Sequence, residues 1–104
     1  MDVQNRLTDL VSKSTGYSFI PDPTSSNPLE GDIFIVYCEN GEQVELQGND
    51  IVYFLRALHN SSENFNSVYD MVLGGLTVKC GFGKAKSFLR LNNIFSELTE
   101  VESE

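Results

Sequence analysis

Residues 32–59, DIFIVYCENGEQVELQGNDIVYFLRALH, decide how this chain folds. Ile33-Phe34-Ile35-Val36-Tyr37-Cys38 is its strongest apolar run. β-branched and aromatic residues suit a pleated, half-buried surface, so the run reads as a strand. Asn40-Gly41 follows, then the alternating Gln43-Val44-Glu45-Leu46-Gln47. Asn-Gly between two such runs signals a hairpin, because a type I′ turn needs positive φ at both central residues. The spacing predicts a hairpin over 32–47. A two-residue turn would set Glu39 opposite Glu42, Tyr37 opposite Val44 and Ile35 opposite Leu46. Ile33, Ile35, Tyr37, Val44 and Leu46 would then face the core. Phe34, Val36 and Cys38 would share the other face with Gln43, Glu45 and Gln47. That mixed face is either covered by another element or offered to a partner.

Past Gly48, Asn49 is an N-cap residue and Asp50 suits the first turn of a helix. Ile51, Phe54, Leu55 and Leu58 recur at i, i+3, i+4 and i+7, which puts them on one helical face. His59 falls at the C-terminal end of that helix, where a cation is favoured. Asn60-Ser61-Ser62 interrupts the pattern, and Ser61 or Ser62 can cap a second helix carrying Phe65, Val68, Tyr69 and Val72. Gly74-Gly75 reads as its end.

Upstream, Val3, Leu7, Leu10 and Val11 predict a helix over about 2–14, with Asp2 in the first turn and Gly16 as the C′ residue. Residues 17–31 form a loop holding all three prolines, Pro21, Pro23 and Pro28, with a short strand possible over Tyr17-Ser18-Phe19-Ile20. A long ordered loop in a small domain often serves a function. Residues 22–30 are rich in oxygen ligands but lack the alternating Asp/Asn positions and central glycine of a calcium loop.

Downstream, Leu76-Thr77-Val78-Lys79-Cys80 alternates like a strand and Gly81-Phe82-Gly83 reads as a turn. Residues 84–91 fit a strand or a helix. A second hairpin over 76–91 is the preferred reading, followed by a short helix over 93–101, since Asn caps helices better than it continues them. The chain ends in an acidic tail, 100–104, expected to fray. The order of elements has no βαβ alternation. It predicts an α+β fold: a small, mainly antiparallel sheet, built from the hairpin 32–47 and strand or strands 76–91, packed against three to four helices.

The length, 104 residues, suits a single domain over 1–104 with one modest core. The formal net charge is −8, which disfavours direct contact with nucleic acid and favours solubility or docking on a basic surface. No apolar run approaches the roughly 20 residues of a membrane span, and no signal peptide is apparent. The two cysteines, Cys38 and Cys80, are too few for a disulfide framework. Together these features suggest a reducing, cytoplasmic setting. The sequon at Asn60 would be idle there.

Motifs for chemistry are missing from the sequence. One histidine and two distant cysteines match no zinc spacing. No nucleophile elbow occurs. Gly81-Phe82-Gly83-Lys84 lacks the upstream glycine and following Ser/Thr of a phosphate loop. No cofactor or metal is implied, and binding is a better expectation than catalysis. Charge patterning is more informative. Residues 1–70 carry eleven acids against three bases, whereas residues 71–95 carry Lys79, Lys84, Lys86 and Arg90 with no acid.

Three classes of function remain. The first is an acidic protein-binding module or inhibitor, such as a DNA mimic or a nuclease immunity protein. Asp32, Glu39, Glu42, Glu45 and Asp50, with the mixed hairpin face, would meet a basic protein partner. The second is a self-associating assembly subunit, with Lys79, Lys84, Lys86 and Arg90 as the self-association or anion contact and a homo-oligomer as the product. The third is a small ligand-binding domain or enzyme using the Pro-rich loop and Gly-rich turn.

Overall fold

The computed structural model of the protein describes residues 3–61 and 65–96. Among the described residues, four helices and a three-stranded antiparallel sheet make an α+β fold. The elements are α1 (Val3–Lys13), β1 (Ser14–Ile20), β2 (Ile33–Cys38), β3 (Gln43–Leu46), α2 (Asn49–Ser61), α3 (Phe65–Cys80) and α4 (Phe82–Leu91). The expected roles of Asp2 and Ser62, the helix beyond residue 96 and the acidic tail lie outside the described residues.

Helix α1 buries Leu7 completely and lays Leu10 and Val11 against the core. It stops at Lys13 without a glycine cap. The Ser14 hydroxyl donates to the Val11 carbonyl at 2.7 Å, satisfying one of the carbonyls a helix end leaves open. Gly16 therefore serves in the strand instead, at a bulge between Ser14 and Gly16. The short strand expected over 17–20 begins three residues earlier.

Strand order is β1-β2-β3. The hairpin forms where predicted, with a register shifted by one residue: Tyr37 pairs with Gln43, Val36 with Val44, Ile35 with Glu45 and Phe34 with Leu46. The turn explains the shift. The Gly41 amide donates to the Cys38 carbonyl and the Cys38 amide to the Glu42 carbonyl, both at 2.9 Å. Gly41 has φ +89°, and Asn40 has no positive φ. This is a three-residue loop, a type I turn followed by a glycine bulge, rather than a type I′ turn. One residue of slip inverts a face, so Phe34, Val36 and Cys38 are buried while Ile33, Ile35 and Tyr37 point away from the helices. The expected mixed contact face is in fact the core face of β2.

Tyr17, Phe34 and Phe54 stack with centroids 5.6 to 5.9 Å apart, and Phe19 joins through Phe34 at 6.4 Å. Ile51, Phe54, Leu55 and Leu58 of α2 complete the centre of the core, as their spacing predicts.

The second hairpin does not form. Helix α3 passes straight through Gly74-Gly75 and continues to Cys80. Its buried residues, Phe65, Val68, Tyr69, Val72, Leu73 and Leu76, keep the helical period across the glycines. Gly75 lets the helix approach β1: a Cβ there would lie 2.6 Å from the Phe19 ring. The alternation at 76–80 leaves Val78 exposed on the outer helix surface. Gly81, at φ +94°, separates α3 from α4. Residues 84–91 are helical, burying Ala85 and Leu89. Asn92-Asn93 ends α4 rather than starting another helix. Asn93 takes φ +62°, its amide donates to the Arg90 carbonyl at 3.0 Å, and the Ile94 amide donates to Leu89 at 2.8 Å. These bonds make a Schellman motif with Asn at C′. The third strand of the sheet is thus β1, from the region read mostly as loop.

Candidate functional site

The loop over residues 21–32 joins β1 to β2 and is held by the helices. Asp32, at the start of β2, is fully buried. Its Oδ1 accepts from Lys79 Nζ at 2.7 Å and from the Asp22 amide at 2.6 Å. The side chains of Lys79 and Asp32 are 1% and 0% exposed. Lys79 Nζ also donates to the Glu30 carbonyl at 2.7 Å, and Lys84 Nζ reaches the Ser26 carbonyl at 3.3 Å. The oxygen-rich loop is therefore built around an ammonium group carried by the chain itself. Among the described residues, no cluster of three or more His, Cys, Asp or Glu is placed to hold a metal ion.

Short-range bonds complete the loop. The hydroxyl and amide of Thr24 donate to Asp22 Oδ1 and hold its carboxyl below the usual carboxylate range. Asn27 and then Ser25 donate to Glu30 Oε1 with the same effect. Gly31 takes φ +78°, and a Cβ there would collide with the Asp22 carboxylate. Leu29, at φ +67°, buries its side chain in the core.

Two of the residues expected to meet partners, Asp32 and Lys79, thus neutralise each other inside the fold. Asp32 offers no carboxylate to a partner, and Lys79 no cation to an anion. Lys86 is nearly buried, with its Nζ 5.6 Å from the Phe82 ring centroid. On a helix, Lys84, Lys86, Phe88 and Arg90 do not share the single outward face that a strand would have given them. Arg90 is exposed.

The remaining acids gather at the hairpin. Glu39, Glu42 and Glu45 are all exposed. Glu39 lies in the turn, its amide donating to the Lys13 carbonyl at 3.2 Å, and Glu45 points from the outer face of the sheet. Glu42 lines a shallow concavity of about 220 Å³ with Arg6, Asp9, Leu10, Lys13, Cys38 and Val44. A neighbouring one, about 270 Å³, is lined by Lys13, Cys38, Glu39 and Asn40. Asp9 hydrogen-bonds Lys13 at 3.1 Å and raises its pKa. Asp50 is half-buried and sits 3.9 Å from Arg6. Glu39, Glu42 and Glu45 take part in none of the ion pairs among the described residues. Cys38 and Cys80 are free thiols.

The Asp32–Lys79 pair was not legible from residue spacing, because its members lie 47 positions apart. The usable signal was the helical period through residue 80, which places Lys79 on the inward side of α3. No helix among the described residues is long and apolar enough to cross a membrane. Comparison with known proteins finds no family model that matches the chain, no matching curated protein and no matching solved structure.

Proposed function

We propose that this chain is a cytoplasmic protein-binding module whose hairpin tip docks on a basic protein surface. The carrying observation is the contrast in charge use: Glu39, Glu42 and Glu45 stay exposed and outside the ion pairs described, on an element fixed by β2 and α1. A rigid element bearing unspent like charges favours steered association with a cationic partner. Asp50, expected on the same surface, is paired with Arg6 at the start of α2 and adds little to that field. The net charge of −8 suits a target that itself binds nucleic acid, which the module would block by occupying the cationic site. A DNA-mimic inhibitor or a nuclease immunity protein fits this reading, and the chain makes no direct contact with nucleic acid in it.

The test is competition. The protein is titrated into DNA-cleavage assays of purified nucleases, and into DNA-binding assays of basic DNA-binding proteins. The reading expects inhibition that weakens steeply as salt rises and is lost in the combined Glu39→Gln, Glu42→Gln, Glu45→Gln variant. Inhibition that survives both changes overturns it, as does a lack of inhibition across the panel.

A further inference from the structure

The sheet has two edges, and they are built differently. β3 is four residues long, contains Glu45 and follows directly on Glu42. Charge on a short edge strand is a common protection against pairing with another chain. β1 is seven residues, Ser14-Thr15-Gly16-Tyr17-Ser18-Phe19-Ile20, without a charge or a proline. Its bulge lies at one end, so Gly16 to Ile20 is regular strand. β1 has one neighbour in the sheet, and its other edge makes no backbone hydrogen bond with described residues.

Side-chain exposure follows the same edge. On β2 the inward residues Phe34 and Val36 are fully buried. On β1 the inward residues Tyr17 and Phe19 stay partly exposed although both stack on Phe34. Ile20, on the outer face, is 50% exposed. Apolar surface therefore flanks the unpaired backbone on both sides.

We infer that β1 is the interface for a second copy of this chain, pairing antiparallel with its mate to join two three-stranded sheets into one of six strands. A two-fold contact sets a strand against itself, so the strand must tolerate its own side chains. β1 does, because it places no like charges opposite one another. Centred on Ser18, the pairing sets Tyr17 opposite the mate's Phe19 and covers the apolar area that both leave open. The β3 edge would instead bring Glu45 near its own copy. A cationic partner of the kind the hairpin tip attracts gains nothing from an uncharged edge. Five paired residues span only about 17 Å. That is small beside the roughly 800 Å² per partner of a standard stable interface, so the dimer is reversible.

The salt response separates this contact from docking at the hairpin tip. Two copies, each of net charge −8, repel, so added salt strengthens the dimer, whereas it weakens docking on a basic surface. Sedimentation equilibrium of the full chain from about 10 μM to about 1 mM covers dimers down to millimolar affinity. The expected result is a monomer–dimer equilibrium that tightens with salt. Ile20→Lys should weaken it by about tenfold or more, while Gln43→Lys on the opposite edge, which changes the net charge by the same amount, does not weaken it. A strict monomer over the whole range overturns the inference, as does a dimer broken by Gln43→Lys and spared by Ile20→Lys. Hydrogen exchange on the unmodified protein gives a readout independent of any variant's folding. Amides of residues 14–20 should slow as concentration rises, and concentration-independent exchange there also overturns the inference.

Discussion

The loop over residues 21–32 and the hairpin tip over residues 39–45 each carry three carboxylates, and both are acidic surface segments when read as strings of residues. In the loop, Asp22, Glu30 and Asp32 are all hydrogen-bonded within the chain, and Asp32 is paired with the buried Lys79. At the tip, Glu39, Glu42 and Glu45 have no ion pair among the described residues. The difference shows that acidic character alone does not mark a binding surface. What matters is whether the fold supplies a counter-charge. α3 brings Lys79 to the loop; at the tip, Glu42 shares a concavity with Arg6 and Lys13 of α1, but Lys13 is engaged by Asp9 and Arg6 is paired with Asp50.

The sharpest way to break this comparison is to remove the counter-charge. Lys79→Met leaves the buried Asp32 carboxyl without its partner, which costs about 3–5 kcal/mol. In thermal denaturation that is a Tm drop of more than about 10 °C. Asp32→Asn added to Lys79→Met should recover part of the loss. A Lys79→Met variant as stable as the parent would show that the loop is not held by this pair.

A smaller contrast comes from two glycines of similar positive φ, +78° at Gly31 and +89° at Gly41. Gly31→Ala pays for positive φ and also drives a methyl into the Asp22 carboxylate, so about 2–4 kcal/mol is expected. Gly41→Ala at the tip meets nothing within 4 Å and carries only the left-handed backbone cost, about 1–2 kcal/mol. Denaturant midpoints of the two variants measure the gap, and equal losses would put the Asp22–Gly31 contact in error.

Acid should separate the regions next. The pKa values of Asp22 and Glu30 are lowered in the fold. Their contribution is therefore present above the ordinary carboxylate range near pH 4 and is lost as pH falls through the folded values. Below about pH 4, loop amides such as Thr24 should exchange faster, relative to their intrinsic rates, while the amides of Cys38 and Gly41 keep their protection. Equal acid sensitivity at both places would contradict the contrast. The smallest effect belongs to the tip: Glu39→Gln, Glu42→Gln and Glu45→Gln should each change stability by no more than about 0.5 kcal/mol in chemical denaturation.

Parts of this outcome were legible in the residues and parts were not. The helical faces of α1 and α2 followed from spacing because a 3.6-residue period repeats over several turns and buries one stripe. The same period ran through Gly74-Gly75 to Lys79, but glycines read as breakers outweighed it. Glycine's role there depends on Phe19, a residue 56 positions away that no local pattern connects to it. The hairpin was evident from Asn40-Gly41, and its register was not. Both turn types accept Asn-Gly, and the choice between them exchanges one face for the other. The Asn92-Asn93 pair shows a similar ambiguity, since asparagine suits either a helix start or a left-handed helix end.

Composition and periodicity were enough to establish the acidic composition, the α+β fold class, the hairpin, α1, α2 and the lack of recognisable catalytic motifs in the sequence, because these depend on local spacing and total charge. Packing settled which face of β2 is inside, that β1 supplies the third strand, that residues 76–91 are helical, and that Asp32 and Lys79 are spent on each other. Each of those outcomes depends on residues distant in the chain. Burial acts on whichever side chains the fold brings together, and a charge placed next to its opposite in a dry interior ceases to be surface at all.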